Sequence, residues 1–507
     1  MIASPVCALS SPPCPHPNPM DLAVTLDPQS NSPLHQQLYE ELRRAILQGR
    51  LPPRQRLPST RSLAKLLGIS RTTVIQSYDR LLSEGYLQTV VGSGTYICDQ
   101  LPDDLLYAQP IPLKRSQSRP PISLSKYGER LTQTTMALQS EPQAQISFRY
   151  GRPALRHFPM PVWRRLLARH CRVERDWLDY ATDMQGDPPL RQAIARYLAR
   201  ARAVQCDPAQ IVITNGTQQA LDLVMRLLVE AGDRIAIEDP GYLSARRIFL
   251  SYGAKLLPIG VDESGLQVEE LIRQTPSSAR LVYVTPSHQF PTGAILSLPR
   301  RLELLAWAQQ TGALILEDDY DSEYRYGDRP IPALQGLDTS ESVLYVGTFS
   351  KVLFPSLRIG YLVLPTALAS LFAQAKWLSD RHLPVLEQRV LTDFIEDGHL
   401  EQHIRKMRSH YDRCRQTLVR SLKTQFREKV VILGEKAGMH VMVRLHTPYS
   451  DEEIIEQAAN VGVGLMSAQP HYLNPNPPGA FILGYGELDE AQIQTGVEKL
   501  AQALRRA

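Results

Sequence analysis

Val343-Leu344-Tyr345-Val346-Gly347-Thr348-Phe349-Ser350-Lys351 is an apolar, strand-like run that breaks at a glycine and then delivers a hydroxyl and a primary amine. Seven positions past the lysine, Leu357-Arg358-Ile359-Gly360-Tyr361 adds a guanidinium at the head of a second apolar run. A lysine after a serine is commonly a solvated surface residue; the arginine changes that reading. Thr348 and Arg358 together suit a phosphate, because arginine grips phosphate through two parallel hydrogen bonds. A phosphate held there keeps a small ring beside the Lys351 amine.

Working upstream, Ala313-Leu314-Ile315-Leu316 reads as another strand and Glu317-Asp318-Asp319-Tyr320 follows it. In α/β sheets, ligands bind at the C-terminal ends of strands, so Asp318 is expected beyond the strand end, facing a site. An acid there suits a pyridine nitrogen, which it keeps protonated, and Tyr320 suits a phenolic oxygen. Earlier still, Thr214-Asn215-Gly216-Thr217-Gln218-Gln219-Ala220-Leu221 joins a strand to a helix. The first backbone amides of that helix and the Thr217 hydroxyl form an anion cup. Tyr242, in Glu238-Asp239-Pro240-Gly241-Tyr242, is a candidate to stack on a ring. An amine, an acid, phosphate donors and a phenol partner are the needs of pyridoxal phosphate, with Lys351 forming the Schiff base. The cofactor-binding candidates are thus Gly216, Thr217, Gln218, Tyr242, Asp318, Tyr320, Thr348, Lys351 and Arg358.

From about residue 146, short β-type runs alternate with helical patterns. Ile211–Thr214, Arg234–Ile237, Leu281–Val284 and Ala313–Leu316 punctuate helices expected over 218–231 and 298–311. That alternation predicts an α/β domain with a mostly parallel sheet over 146–505, its larger part at about 185–380 and a mixed smaller part at about 385–505.

The N-terminal region is of another kind. Leu34, Leu38, Leu42, Ile46 and Leu47 fall at helical spacing, and Leu51-Pro52-Pro53 ends that helix. Ser59 and Ser70 are expected N-caps of helices at about 60–67 and 71–84, closed by Gly68 and Gly85. Tyr86–Val91 and Gly94–Ile97 read as two strands joined by a glycine-bearing turn. Three helices and a β-hairpin make a winged helix-turn-helix over 31–99. Between Arg43 and Arg71 lie eight Arg or Lys and no Asp or Glu, in a chain whose net charge is only +4. Such a local basic stretch marks a DNA-contacting module. Arg71, Thr72 and Thr73 occupy the helix start that enters a major groove, Arg61 suits a phosphate, and Gly92 lets the wing approach the duplex.

With 507 residues the chain is too long for one small domain, and 43% apolar with 21% charged residues describes a globular protein. No apolar run approaches the ~18–20 residues of a membrane span. Residues 1–30 are expected to be a disordered extension without signal-peptide character, and Met20 is a second candidate start. Residues 100–145, polar and proline-bearing, read as a linker. The six cysteines contain no C-x-x-C pair, which argues against a metal site or a disulfide framework and suits a reducing cytoplasm.

Residues 34–98 resemble the GntR family of bacterial regulators, through Arg56-Leu57-Pro58-Ser59 … Arg61, Ser70-Arg71-Thr72-Thr73-Val74, Glu84-Gly85-Tyr86-Leu87 and Gly92-Ser93-Gly94-Thr95. Residues 146 to 505 resemble the aminotransferase class I family of fold type I. Arg152-Pro153 … Phe158-Pro159, Thr285-Pro286-Ser287-His288-Gln289-Phe290-Pro291-Thr292-Gly293 and Gly438-Met439-His440 support the motifs above. The combination is similar to the MocR/GabR-like subfamily. That resemblance implies operator DNA as partner, a small amine or amino-acid effector (or the cofactor itself), and a head-to-tail, swapped homodimer. It also implies that Tyr180 reaches the neighbouring subunit's phosphate. Two positions depart from the aminotransferase pattern. Phe290 stands where many members carry an Asn beside the phenolic oxygen, leaving Tyr320 and His288 to serve there. Ile482 stands where the Arg that clamps a substrate α-carboxylate is expected, and Arg444 substitutes only if its strand points inward. Three functions follow: a cofactor-dependent regulator with residual transaminase activity at most, a working aminotransferase with an appended DNA-binding module, or a regulator with a cofactor-free sensor.

Overall fold

The computed structural model describes residues 24–102, 122–134, 144–173, 178–274, 279–327, 331–475 and 478–506. The chain divides into two compact units, one ending at Ile122 and one beginning at Ser123. Most of the expected N-terminal extension, residues 1–23, lies outside the described residues. Within the remainder, Gln37 on the first helix ties down the turn at Asp27 through bonds to its amide and carbonyl.

The first unit comprises α1 (Leu34–Leu47), α2 (Thr60–Leu67), α3 (Arg71–Ser83) and a hairpin of β1 (Leu87–Val90) with β2 (Gly94–Ile97). Ser59 accepts the amide of Ser62, and Ser70 that of Thr73, so both serines cap their helices as the sequence predicts. Gly68 ends α2 at φ +65°. The apolar stripe of α1 meets the other two helices around Leu38, Leu42, Leu63, Val74 and Leu81, all 0% exposed. Burial on that scale is the main stabilising term for so small a module.

The second unit begins inside the segment read as a linker. Residues 126–133 form α4 (Lys126–Gln133), capped by Ser125, and Arg130 donates to the carbonyl of Ser251 at 2.8 Å. The helix escaped the sequence reading because it is only eight residues long and none of its residues is buried.

Two sheets follow. Along the chain the larger one uses β3 (Ile211–Thr214), β4 (Arg234–Asp239), β5 (Lys255–Asp262), β6 (Gly265–Leu266), β7 (Ala279–Val284), β8 (Leu314–Asp319), β9 (Val343–Thr348) and β10 (Gly360–Val363). Their spatial order is β3-β10-β9-β8-β7-β4-β5-β6. Strands β9, β8, β7, β4 and β5 are mutually parallel, while β10 runs antiparallel between β3 and β9. Near-continuous Val, Ile and Leu runs explain this, since a parallel sheet covered on both faces needs apolar side chains on both. Helix α5 (Gly216–Leu228) is one cover, packing Leu221, Leu223 and Val224 into the core. The smaller sheet is antiparallel, in the order β11-β12-β14-β13: β11 (Val430–Leu433), β12 (His440–Leu445), β13 (Met466–Ser467) and β14 (Ala480–Gly484).

Strand β8 runs three residues past the expected Leu316. Asp318 pairs with Val346 and Asp319 with Gly347, so the acids are part of the ladder and do not lie beyond it. The ladder continues because β9 is long enough to supply partners, which the sequence of β8 alone does not reveal.

Candidate functional site

The strand ends converge on one edge of the large sheet. Thr214 ends β3, Val284 ends β7, Asp319 ends β8 and Thr348 ends β9. Because β10 runs the other way, its start at Gly360 lies beside Thr214 and brings Arg358 to the same edge. One cavity there is lined by Thr217, Gln218, Tyr242, Asp318, Tyr320, Thr348, Lys351 and Arg358, all singled out from sequence. Gly216 does not line it, but lies directly behind the Arg358 guanidinium.

Lys351 is part-buried, and its Nζ donates to the carbonyl of Gly151 at 2.7 Å. Burial pushes its pKa below the ordinary lysine value, partly offset by Asp321 and Asp318, with Arg152 and Arg358 adding to the depression. A lowered pKa increases the fraction of free amine, the form that attacks a carbonyl.

The three adjacent acids of β8 have separate duties. Glu317 accepts the amides of Leu334 and Gln335 at 2.9 and 3.0 Å, which fixes a loop. Asp319 is ion-paired with Arg202 at 2.8 Å and accepts from Tyr345 at 2.6 Å. Asp318 accepts from Tyr283 at 2.7 Å through Oδ2, while its Oδ1 is buried with no partner. Burial pushes the Asp318 carboxyl up to about 7. An unpartnered buried carboxylate oxygen is costly unless something cationic or hydrogen-donating meets it.

Around the phosphate position, Arg358 donates to the carbonyl of Asn215 at 2.6 Å and to its side chain at 3.1 Å. The guanidinium is thereby parked at the N-terminus of α5, where the helix dipole already favours an anion. Ser350 Oγ, from the same loop, is buried without a partner. Gly216 has φ +72°, which strains any other residue, and a Cβ on it would lie 2.9 Å from Arg358 Nη2 and displace the guanidinium. The free Oδ1 of Asp318 and the free Ser350 hydroxyl are the groups that a protonated pyridine nitrogen and a phosphate would engage. The residues therefore fit pyridoxal phosphate.

On the far wall, Phe290 is 5% exposed and packs against Tyr150 and Tyr242, with ring centroids 5.1 and 5.8 Å away. Ile482 is fully buried in an apolar group with Phe290, Met442, Ala468 and Ala480. Arg444 shares the strand face of His440 and Met442, and its side chain bonds the Tyr472 phenol. Its Nε is buried without a partner, and it does not line the cavity. Tyr180 is 66% exposed, with the Arg381 guanidinium 4.4 Å above its ring, and is likewise not part of the lining.

Sequence reasoning missed Tyr283, Asp321, Ser350, Tyr150 and Gly151, and gave His440 no role. Tyr283 had a signal, as the one aromatic with a hydroxyl in an otherwise aliphatic strand. The others come from loops and from the second sheet, and only the tertiary fold brings them in.

In the first unit, Arg61, Arg71 and Thr72 are exposed at the starts of α2 and α3, and Gly92 sits at the hairpin turn with φ +77°. Arg71 Nε lies 3.4 Å from the Thr60 hydroxyl. Thr73 differs: it is part-buried and its hydroxyl is 2.8 Å from that of Ser70. The helix cap engages it.

A head of winged-helix type and an aminotransferase-like domain whose cavity brings together Lys351, Asp318 and Arg358 define the class. Residues 145–500 match the family described as "Aminotransferase class I and II", and residues 34–97 match "Bacterial regulatory proteins, gntR family". The chain belongs to the aminotransferase class I and II family and carries a gntR-family head. It is 40% identical to the "Probable rhizopine catabolism regulatory protein MocR" of Rhizobium meliloti, with 95% of each chain covered. It is 30% identical to the "HTH-type pyridoxine biosynthesis transcriptional regulator PdxR" of Corynebacterium glutamicum, over 96% of this chain and 99% of that one. Among solved structures, the alpha-aminoadipate aminotransferase LysN of Thermus thermophilus, complexed with N-(5'-phosphopyridoxyl)-L-leucine, matches with a TM-score of 0.68 at 28% identity. That match covers 76% of this chain and 97% of LysN. The protein is a DNA-binding transcriptional regulator with an aminotransferase-like sensor domain, and pyridoxal phosphate is its cofactor. Among the described residues, no helix is long and apolar enough to cross a membrane.

Proposed function

We propose that the second unit is a sensor in which cofactor retention has been kept and substrate turnover has been relinquished. When bound, the cofactor supplies an aldehyde that condenses with primary amines and a ring that withdraws electrons. Lys351 holds that aldehyde, Asp318 meets the ring nitrogen, and Gly216, Thr217, Thr348 and Arg358 receive the phosphate. Tyr242 stacks and Tyr320 meets the phenolic oxygen. The observation that carries the reading is the contrast between the side chains that line the cavity and the one that stands outside its lining where a clamp is expected. Every cofactor requirement has a side chain, whereas the carboxylate-clamp position is occupied by the buried, apolar Ile482. Arg–carboxylate geometry has no apolar substitute.

The effector is a small amine, an amino acid or the cofactor itself. Its binding biases a homodimer between two arrangements of its DNA heads, by as much as its affinity differs between them. Head-to-tail pairing, with Tyr180 offered to the neighbouring subunit's phosphate, and a cytoplasmic location complete the reading. Arg61, Arg71, Thr72 and Thr73 are the head's candidate contacts, with Gly92 at the wing.

The test is a pair of measurements on the purified full chain, with Lys351→Ala as control. The parent should show a visible absorbance band, a stable spectral change with its amine effector, and effector-dependent binding to its own upstream DNA. Lys351→Ala should lose the band and the effector response while retaining basal DNA affinity. Sustained conversion of amino acid and keto acid would instead make the protein a working aminotransferase. That second reading has the intact lysine site and the likeness to LysN in its favour. A chain with no band would be a cofactor-free regulator.

A further inference from the structure

Behind Tyr320 lies a pair of side chains that cofactor retention does not explain. His288 and Asp321 are 2% and 1% exposed. His288 Nδ1 is 3.0 Å from both oxygens of Asp321 and 3.0 Å from the Tyr320 hydroxyl. The fold makes specific room for this group. A Cβ on Gly438, at φ +77°, would lie 1.9 Å from His288 Cε1 and 2.8 Å from Asp321 Oδ2. The Gly438 carbonyl is itself held by the hydroxyls of Tyr326 and Tyr485 at 2.5 and 2.7 Å.

The hydrogens follow from the donors. A carboxylate only accepts, so Asp321 places the ring hydrogen of His288 on Nδ1. Nδ1–H then points at both Asp321 and the Tyr320 oxygen, and Tyr320 accepts from this side. The tyrosine's own hydrogen must turn away, toward the cavity that Tyr320 lines. His288 Nε2 is buried without a partner, which suits a lone pair better than an N–H. Tyr320 keeps its hydrogen because burial, followed by Asp321, Asp318, Glu238 and Asp319, holds the phenol well above its ordinary value. His440, tilted at 45° with its ring centroid 4.8 Å from that of His288, is another titratable ring beside it, and Tyr150, Tyr242 and Tyr283 line the same cavity. Phe290, with its ring centroid 6.2 Å from that of Tyr320, has no hydrogen to offer a phenolic oxygen.

We propose that Asp321 and His288 are positioning residues that fix Tyr320 as the hydrogen-bond donor to the phenolic oxygen of the bound cofactor. The proposal rests on the cofactor reading above. It assigns to a buried Asp–His–Tyr chain the electronic tuning of the sensor's chromophore, and through it the readiness of the cofactor to accept an effector amine. A hydrogen donated to the phenolic oxygen stabilises negative charge there, so losing it makes the bound cofactor retain its titrating proton to higher pH.

The experiment is a pH titration of the visible band of the full-length holoprotein, with bound cofactor counted after ultrafiltration. Tyr320→Phe and His288→Leu should each move the midpoint upward by about one unit, a tenfold change in proton affinity, with cofactor still bound. Asp321→Asn should move it by less, because it also removes a negative charge that favours the Lys351 proton. The double variant Tyr320→Phe with His288→Leu should move it no further than Tyr320→Phe alone, because both changes remove one interaction. His288→Gln, which keeps an N–H donor, should move it less than His288→Leu. A merely structural pair would leave the midpoint in place or give shifts that add to that of Tyr320→Phe, and either result overturns the proposal. A parent protein without a visible band would overturn the cofactor reading beneath it, which a band with an unmoved midpoint would not.

Discussion

Tyr283 donates its phenolic hydrogen to Oδ2 of Asp318 across 2.7 Å and thereby leaves Oδ1 as the oxygen facing the cavity. The tyrosine thus orients the carboxylate and relieves part of the cost of burying it. Tyr283→Phe removes the donor and leaves a second buried oxygen unpaired. A hydrogen bond to a charged group is worth about 1.5–3 kcal/mol, so cofactor affinity should fall roughly 10- to 100-fold. Titrating cofactor-stripped protein with pyridoxal phosphate, followed by the visible band, measures this. Unchanged affinity would show that Asp318 needs no orienting partner.

Asp318 also makes a pH prediction with a definite sign. Its ordinary pKa of 3.8 rises to about 7 in the folded, cofactor-free chain, with burial as the main cause. Between those values the unfolded chain has released the proton and the folded chain still holds it. The group therefore destabilises the fold progressively as pH rises from about 4, fully above about 7. Asp318→Asn removes that penalty. Stripped of cofactor, the variant should match its parent near pH 4 and exceed it at pH 8, by on the order of a few kcal/mol. Urea midpoints at the two pH values decide it, and a difference that stayed constant with pH would count against a buried, proton-holding acid.

How far the site was legible follows from these residues. Lys351, Arg358, Asp318 and Tyr320 each stand at the end of an apolar run or one loop past it, and period and position alone suggested their convergence. Thr214–Leu221 was readable for the same reason. Tyr283 was quoted as part of a strand and passed over, since alternation does not say which face meets the ligand. His288, Asp321 and Gly438 are 33 and 117 residues apart along the chain, in loops without periodicity, and only the packing of the second sheet against the first unites them. Ile482 was recognised as a departure, yet its enclosure by Phe290 and Met442 is a property of register between β12 and β14. Helix α4 was invisible for the opposite reason, being short and exposed.

Gly216 offers a test of the phosphate cradle by addition of one methyl group. At φ +72° an alanine is strained, and its Cβ would press on the Arg358 guanidinium at 2.9 Å. The arginine must leave its bonds to Asn215 or the helix start must move. Gly216→Ala should weaken cofactor binding at least tenfold, with most of the loss appearing as faster release. Gly360→Ala, whose Cβ would meet Gly216 Cα at 2.8 Å, should act in the same direction. Stopped-flow release rates measure both. Retention of parental rates would mean that the phosphate is held elsewhere.

In the DNA head, the three residues at the start of α3 are predicted to separate. Arg71 and Thr72 are exposed, whereas the Thr73 hydroxyl is held by Ser70 at 2.8 Å and its amide bonds the same serine at 3.1 Å. If Arg71 reads a base, Arg71→Ala should cost about 1–3 kcal/mol of specific binding and relax sequence preference at one position. Thr72→Ala should weaken binding by a smaller factor. Thr73→Ala should leave DNA affinity close to parental and instead lower the melting temperature of the head, through a loosened helix start. Arg61→Ala should act alike on every sequence and reduce the salt dependence of binding by about one counterion, as loss of a phosphate contact does. Equilibrium binding to the upstream operator at several salt concentrations distinguishes the four variants. A Thr73→Ala variant as impaired on DNA as Arg71→Ala, without a change in melting, would mean that the cap opens on binding and frees the hydroxyl for the groove.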